Sequence, residues 1–103
     1  MTREMLPARR AATSFDVNVR GVSYTATLGY YDDGRVGEVF VDGPKTGTDV
    51  ETNASDAAAI LSVALQHGVP PAALARSVQR DGDGRPLGPV GVLVDLLALR
   101  EDR

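Results

Sequence analysis

The chain has no cysteine and no tryptophan, a single histidine (His67), and aromatic side chains at only 5% of its 103 positions. The missing cysteines exclude disulfides, thiolate catalysis and thiolate zinc sites together. With one histidine, a metal site would have to be assembled mainly from carboxylates. No basic excess exists either. The formal net charge is −3 and the pI about 5.0, whereas a general nucleic-acid binder carries a basic stripe or patch. No apolar run reaches membrane-spanning length. Residues 1–10 carry Arg3, Arg9 and Arg10 without the apolar segment of a secretory signal. These absences predict a cytoplasmic protein with no membrane association and no cofactor.

What is present describes one small domain. Hydrophobic residues at 43% and charged residues at 24% are ordinary globular values, and this length closes one core with little to spare. The pattern predicts a flexible N-terminal tail over residues 1–13 and a single domain over residues 14–101. Phe15, Val17 and Val19 alternate with Asp16, Asn18 and Arg20, the period of a half-buried strand. Arg20-Gly21 makes a tight reversal. Val22, Tyr24, Ala26, Leu28 and Tyr30 then share one face of a second strand, and Asp33-Gly34 signals a hairpin before a third, Val36 to Asp42. A sheet this small needs helices over one face.

Thr48-Asp49-Val50-Glu51 has capping-box spacing. It opens a helix with an apolar stripe of Val50, Ala54, Ala57, Ala58, Leu61, Ala64 and Leu65, widened by Ile60 and Val63. Gly68 and Pro70-Pro71 end it. A shorter helix from Pro71 to about Gln79, with Leu74 and Val78 inward, leads into a turn-rich loop over residues 80–89. A last helix covers Val90 to Leu99. The predicted fold is α+β, a three-stranded antiparallel β-meander followed by three helices packed on one face. The last helix is apolar on more than one face, which marks Val92, Leu93, Leu96, Leu97 and Leu99 as interface candidates for self-association or a protein partner.

Candidate chemistry is sparse. Gly43-Pro44-Lys45-Thr46-Gly47-Thr48 places glycines, a lysine and hydroxyls before a helix N-terminus, where free amides favour an anion. The order does not match a phosphate loop, and Asp49 and Glu51 repel phosphate in the first turn. A plain strand-to-helix turn is the leading reading. A nucleotide or anion held by Lys45, Thr46 and Thr48, with Arg85, is the alternative. Asp81-Gly82-Asp83-Gly84 opens like a calcium loop, but Arg85 and Val92 stand where ligands belong. Arg80, Asp81 and Asp83 are therefore read as a solvated turn offering a contact surface. His67 ends a helix with no motif-placed nucleophile. Tyr24 and Tyr30 belong to the apolar face, and no carboxylate pair stands out.

The run from Leu28 to Gly43, with Asp33-Gly34-Arg35 and Gly37-Glu38-Val39-Phe40-Val41, resembles the TSCPD domain. Gly47 and Ala64-Leu65-Gln66-His67-Gly68-Val69-Pro70 extend the resemblance, which covers roughly residues 15–99. That family occurs in the C-terminal region of cobalamin-dependent ribonucleotide reductases and as short stand-alone bacterial proteins. The resemblance implies a strand, a turn, a second strand and a long helix with a Gln-x-Gly-x-Pro ending. Its Thr-Ser-Cys-Pro-Asp run corresponds here to Pro86-Leu87-Gly88-Pro89-Val90, so a thiol or metal role there does not carry over. Nor does reductase activity, which needs a radical-bearing cysteine, a reducing cysteine pair and a large barrel. The expected role is a non-catalytic accessory module acting through self-association or partner docking. A ligand-binding regulator and a mobile-element-encoded interaction or inhibitor protein are the alternatives.

Overall fold

The computed structural model describes residues 2–44 and 47–101. Three strands, β1 (Ala12–Val19), β2 (Val22–Tyr30) and β3 (Val36–Asp42), precede three helices, α1 (Asp49–Gln66), α2 (Pro71–Ala75) and α3 (Pro89–Glu101). The sheet is antiparallel in the order β1-β2-β3. This is the α+β meander with following helices that the pattern predicts.

Local chemistry shapes both hairpins. Arg20 and Gly21 both have positive φ, 52° and 82°, the backbone of a two-residue turn matched to strand twist. Residues 31–35 join β2 to β3, and the Tyr31 amide, donating to the Arg35 carbonyl at 2.8 Å, closes a three-residue turn in which the Gly34 amide donates to Tyr31 at 3.0 Å. Gly34, at φ 91°, occupies the left-handed position such a loop requires. Val17, Val19, Tyr24, Ala26, Leu28, Val39 and Val41 fill one sheet face and meet Ala54, Ala58, Leu61, Leu93, Val94 and Leu97 from the helices. The other face is polar, with a Ser14–Thr27 hydroxyl pair at 2.8 Å.

The ends of α1 follow the predicted code. The Glu51 amide donates to Thr48 Oγ1 at 3.2 Å. At the other end the Gly68 amide donates to Leu65 and the Val69 amide to Ala64, both at 3.0 Å, around Gly68 at φ 82°. That pair of bonds is a Schellman closure. The buried face differs from the predicted stripe. Val50, Ile60 and Val63 are exposed, Ile60 at 71%, while Ser62 and Gln66 are buried.

The reason lies in β3, an edge strand whose outer peptide groups need partners. Ser62 Oγ accepts from the Val39 amide at 2.8 Å. Its one proton is shared between the Val39 carbonyl at 3.1 Å and the Ala58 carbonyl at 2.9 Å. Gln66 Nε2 donates to the Gly37 carbonyl at 2.8 Å. Helix α1 therefore turns a polar flank toward the strand edge and leaves Ile60 outside.

Other boundaries also shift. The predicted helix to Gln79 stops at Ala75, because the chain turns into a bridge pairing Arg80 with Pro86. Strand β1 starts at Ala12, three residues before the alternation that begins at Phe15. Ahead of it, the Glu4 amide donates to the Gln66 carbonyl at 2.8 Å, and Arg10 pairs with Glu38 at 2.7 Å.

Candidate functional site

A cleft of about 590 Å³ opens where the β2–β3 turn, the Schellman end of α1, Pro70-Pro71 and the last turns of α3 converge. Val36, Leu65, Val69, Pro70, Pro71 and Leu97 supply apolar walls, and Asp33, Arg35 and Arg100 supply charge. Its volume suits a side chain or a small ligand. Tyr31 is buried and donates its hydroxyl to the Glu4 carbonyl at 2.8 Å. Burial raises its pKa, with help from the Glu4 charge.

Arg35 is fully engaged. Its Nη atoms fork onto the Glu4 carboxylate at 3.0 and 2.9 Å, and its Nε meets Asp33 at 2.7 Å. The guanidinium also lies 4.6 Å from the Tyr31 ring centroid. Both carboxylate contacts raise the Arg35 pKa, Glu4 more than Asp33. Asp33 is held low chiefly by the Arg35 amide. Arg100 donates to the Gly34 carbonyl at 3.3 Å and lies 5.5 Å from the Tyr30 ring centroid. An incoming anion would have to displace Glu4 to gain Arg35.

The second loop is organised in the same way. The Asp81 amide donates to the Arg85 carbonyl and the Gly84 amide to Asp81, at 2.9 and 3.1 Å. Asp81 Oδ1 accepts from the amides of Asp83 and Arg85 at 2.9 and 3.0 Å, and these bonds lower its pKa, Arg85 first. Arg80 makes a bidentate pair with Asp95 at 2.9 and 2.7 Å and donates to the carbonyls of Gly84 and Ala75. This loop clips α2 to α3.

The pair has a pH consequence. The Arg80 fork holds the Asp95 carboxyl below its ordinary value of 3.8. A depressed folded pKa gives stability that is present at neutral pH and lost as pH falls below about 4, through the folded value. Asp95→Asn should therefore lower the unfolding midpoint at pH 7, modestly for a partly exposed pair. Wild-type and variant curves should converge in acid. Parallel curves down to low pH would assign the loss to something other than ionisation.

The predicted site residues separate in space. Lys45 and Thr46 lie outside the described residues. Thr48 caps α1, Arg85 closes the second turn, and neither lines the cleft. Arg80 is committed to Asp95, while Asp81 and Asp83 remain exposed. Leu93 and Leu97 are sealed in the chain's own core at 0% and 3% exposure, which removes both from the interface set. Val92 is half-buried, and Leu96 and Leu99 are open at 40% and 59%. Glu4, Ser62 and Asp95 escaped the sequence reading. A polar pair four residues apart, Ser62 and Gln66, on an otherwise Ala/Leu helix flank was the available signal for the edge seal. Among the described residues no group of His, Asp and Glu converges to hold a metal ion, and none of their helices is long and apolar enough to cross a membrane.

The family model of the TSCPD domain matches residues 4–99. Similar curated proteins are the vitamin B12-dependent ribonucleotide reductases of Bradyrhizobium diazoefficiens, 38% identical over 68 residues, and Agrobacterium fabrum, 37% identical over the same length. That of Rhodopirellula baltica is 34% identical over 68 residues. Each match covers 66% of this chain but only 5–6% of the reductase. No solved structure matches the chain.

Proposed function

Since this chain belongs to the TSCPD domain family, we propose that it is a non-catalytic accessory module that docks a protein partner. The docking surface is the cleft together with the neighbouring outer face of α3. One observation carries this reading: α3 is apolar on two faces, and the core uses only one. Val90, Leu93, Val94 and Leu97 pack inward, while Leu96 and Leu99 stay open. Leu96 and Arg100 are four residues apart, adjacent along the helix, so Arg100 joins this apolar face to the cleft it lines.

The groups that would serve chemistry are occupied in holding the fold. Arg35, Asp33 and Glu4 form one network, and Arg80 and Asp95 another. The absence of cysteine leaves no thiol for radical or redox chemistry. In the matched reductases the similar region is a small part of a much longer protein, which makes such a reductase the first partner to test. Its role there would be to bind, with turnover left to the larger chain.

Binding of the purified chain to a B12-dependent ribonucleotide reductase, followed by fluorescence anisotropy, tests this. Wild type should bind saturably, and Leu96→Glu/Leu99→Glu should weaken binding at least about tenfold, the effect expected when anchors of a hydrophobic contact become charged. Absence of binding by wild type would remove the reductase as partner. Nucleotide turnover by the chain alone would overturn the non-catalytic role.

A further inference from the structure

The two edges of the sheet are treated differently. On β3, Ser62 and Gln66 occupy the outer groups of Val39 and Gly37. On β1, the outer groups have no such cover. The Tyr30 amide donates to the Ala11 carbonyl at 3.0 Å, and the register pairs Thr13 with Leu28 and Phe15 with Ala26. Odd residues of β1 thus bond to β2, and Ala12, Ser14, Asp16 and Asn18 turn their peptide groups outward. Those groups have no hydrogen-bond partner among the described residues. All four residues are exposed, as is Thr13, and Phe15 is half-buried. The strand contains no Pro, Lys or bulge to guard it; Asp16 is its one charge.

We propose that a second copy of this chain pairs with that edge, β1 against β1, antiparallel about a twofold axis at Phe15. The strand's own residues select the register. Of the registers that bring outward peptide groups together, those centred on Ser14, Phe15 or Asp16 pair at least three of the four outward residues. The one centred on Asp16 sets the two carboxylates directly opposite each other, which is repulsive. The one centred on Ser14 leaves Asn18 unpaired. The one centred on Phe15 uses all four outward residues. It sets each Ser14 hydroxyl opposite an Asp16 carboxylate, Ala12 opposite Asn18, and the two Phe15 rings against each other at the axis. The product is a six-stranded sheet with both sets of helices on one side, its outer edges the β3 strands already sealed by α1. This is independent of the docking role assigned to α3.

Light scattering over a concentration series should give a mass approaching twice the 10.9 kDa of the chain. Ser14→Pro removes an amide that faces away from β2, so the strand's own ladder survives. This variant should be monomeric with a cooperative unfolding transition. A cysteine-free chain permits a second test that does not depend on that variant folding. Phe15→Cys places its two Cα atoms about 4.5 Å apart across the axis, within disulfide range, and should oxidise to a linked dimer. Asn18→Cys faces Ala12 and should not. A monomeric wild type, a dimer that persists in folded Ser14→Pro, or equal cross-linking of the two cysteine variants would overturn the proposal. Retention of the dimer in Leu96→Glu/Leu99→Glu would separate it from an α3 interface, and loss of the dimer there would count against β1.

Discussion

Ser62→Ala should lower the thermal midpoint by on the order of 10 °C, more than most single changes outside the apolar core. The substitution removes only one oxygen from a buried site. Its effect comes from what that oxygen serves: the Val39 amide loses its acceptor at 2.8 Å and the Val39 carbonyl loses a donor at 3.1 Å. A buried peptide group left without a partner costs about 1–3 kcal/mol, against a total stability of roughly 5–15 kcal/mol for a domain. Each kcal/mol moves the midpoint by roughly 4–8 °C in a chain near this size. Ser55→Ala, on an exposed part of the same helix, should change stability by no more than about 0.5 kcal/mol. Ser62→Thr keeps the hydroxyl and should recover part of the loss. Hydrogen exchange at the Val39 amide gives the local reading. It should accelerate in Ser62→Ala beyond the change at Leu28, the residue paired with Val39 in the sheet. Unchanged protection of that amide would remove the edge seal as the explanation.

Sheet and helices were legible wherever one period governs a whole element. The alternation from Val22 to Tyr30 predicts β2 residue for residue, and Val36 to Asp42 matches β3. Thr48, Glu51 and Gly68 announce the ends of α1 because capping is local chemistry, complete within six residues. The rotation of α1 was not legible. Apolar periodicity favours Ile60 and Val63, yet the unsatisfied edge of β3 decides which flank faces inward. That demand arises only once the strand order is known. Long-range ion pairs were hidden for a similar reason. Arg80 meets Asp95 fifteen residues away, and Arg35 meets Glu4 thirty-one residues away, at separations no spacing rule detects. Two apolar faces on α3 were visible in the sequence. Which leucines the core would take was not, since Leu93 and Leu96 differ only in which side of the helix meets the sheet. The cleft was not read from the sequence: Asp33-Gly34-Arg35 and Leu65 to Pro70 belong to runs singled out by resemblance as a turn and a helix end, and only folding brings both to its walls.

The sharpest steric constraint in that corner lies at Gly37, and Gly37→Ala should destabilise the protein by about 1–3 kcal/mol or more, the range for inserting atoms into a filled interior. A Cβ there would stand 2.5 Å from Tyr31 Cε2, 2.9 Å from its Cζ and 2.7 Å from Leu6 Cδ2. Leu6 is a side chain that can swing aside. Tyr31 is held at three points: its hydroxyl on the Glu4 carbonyl, Arg35 against its ring, and burial on the remaining sides. Moving the ring therefore disturbs the Glu4–Arg35 fork and with it one wall of the cleft. Gly34→Ala provides the contrast, because a Cβ at Gly34 meets nothing within 4 Å and the penalty there is conformational, from φ 91°. That penalty is about 1–2 kcal/mol and should be indifferent to residue 6. Gly37→Ala/Leu6→Ala should recover part of the Gly37→Ala loss, whereas adding Leu6→Ala to Gly34→Ala should only add its own cost. Denaturant unfolding of the six chains measures both couplings. Simple additivity in the Gly37 cycle would mean that the clash is absorbed elsewhere. Coupling confined to that cycle would establish that the N-terminal segment packs against Gly37 beside Tyr31, the buried ring that lines the cleft.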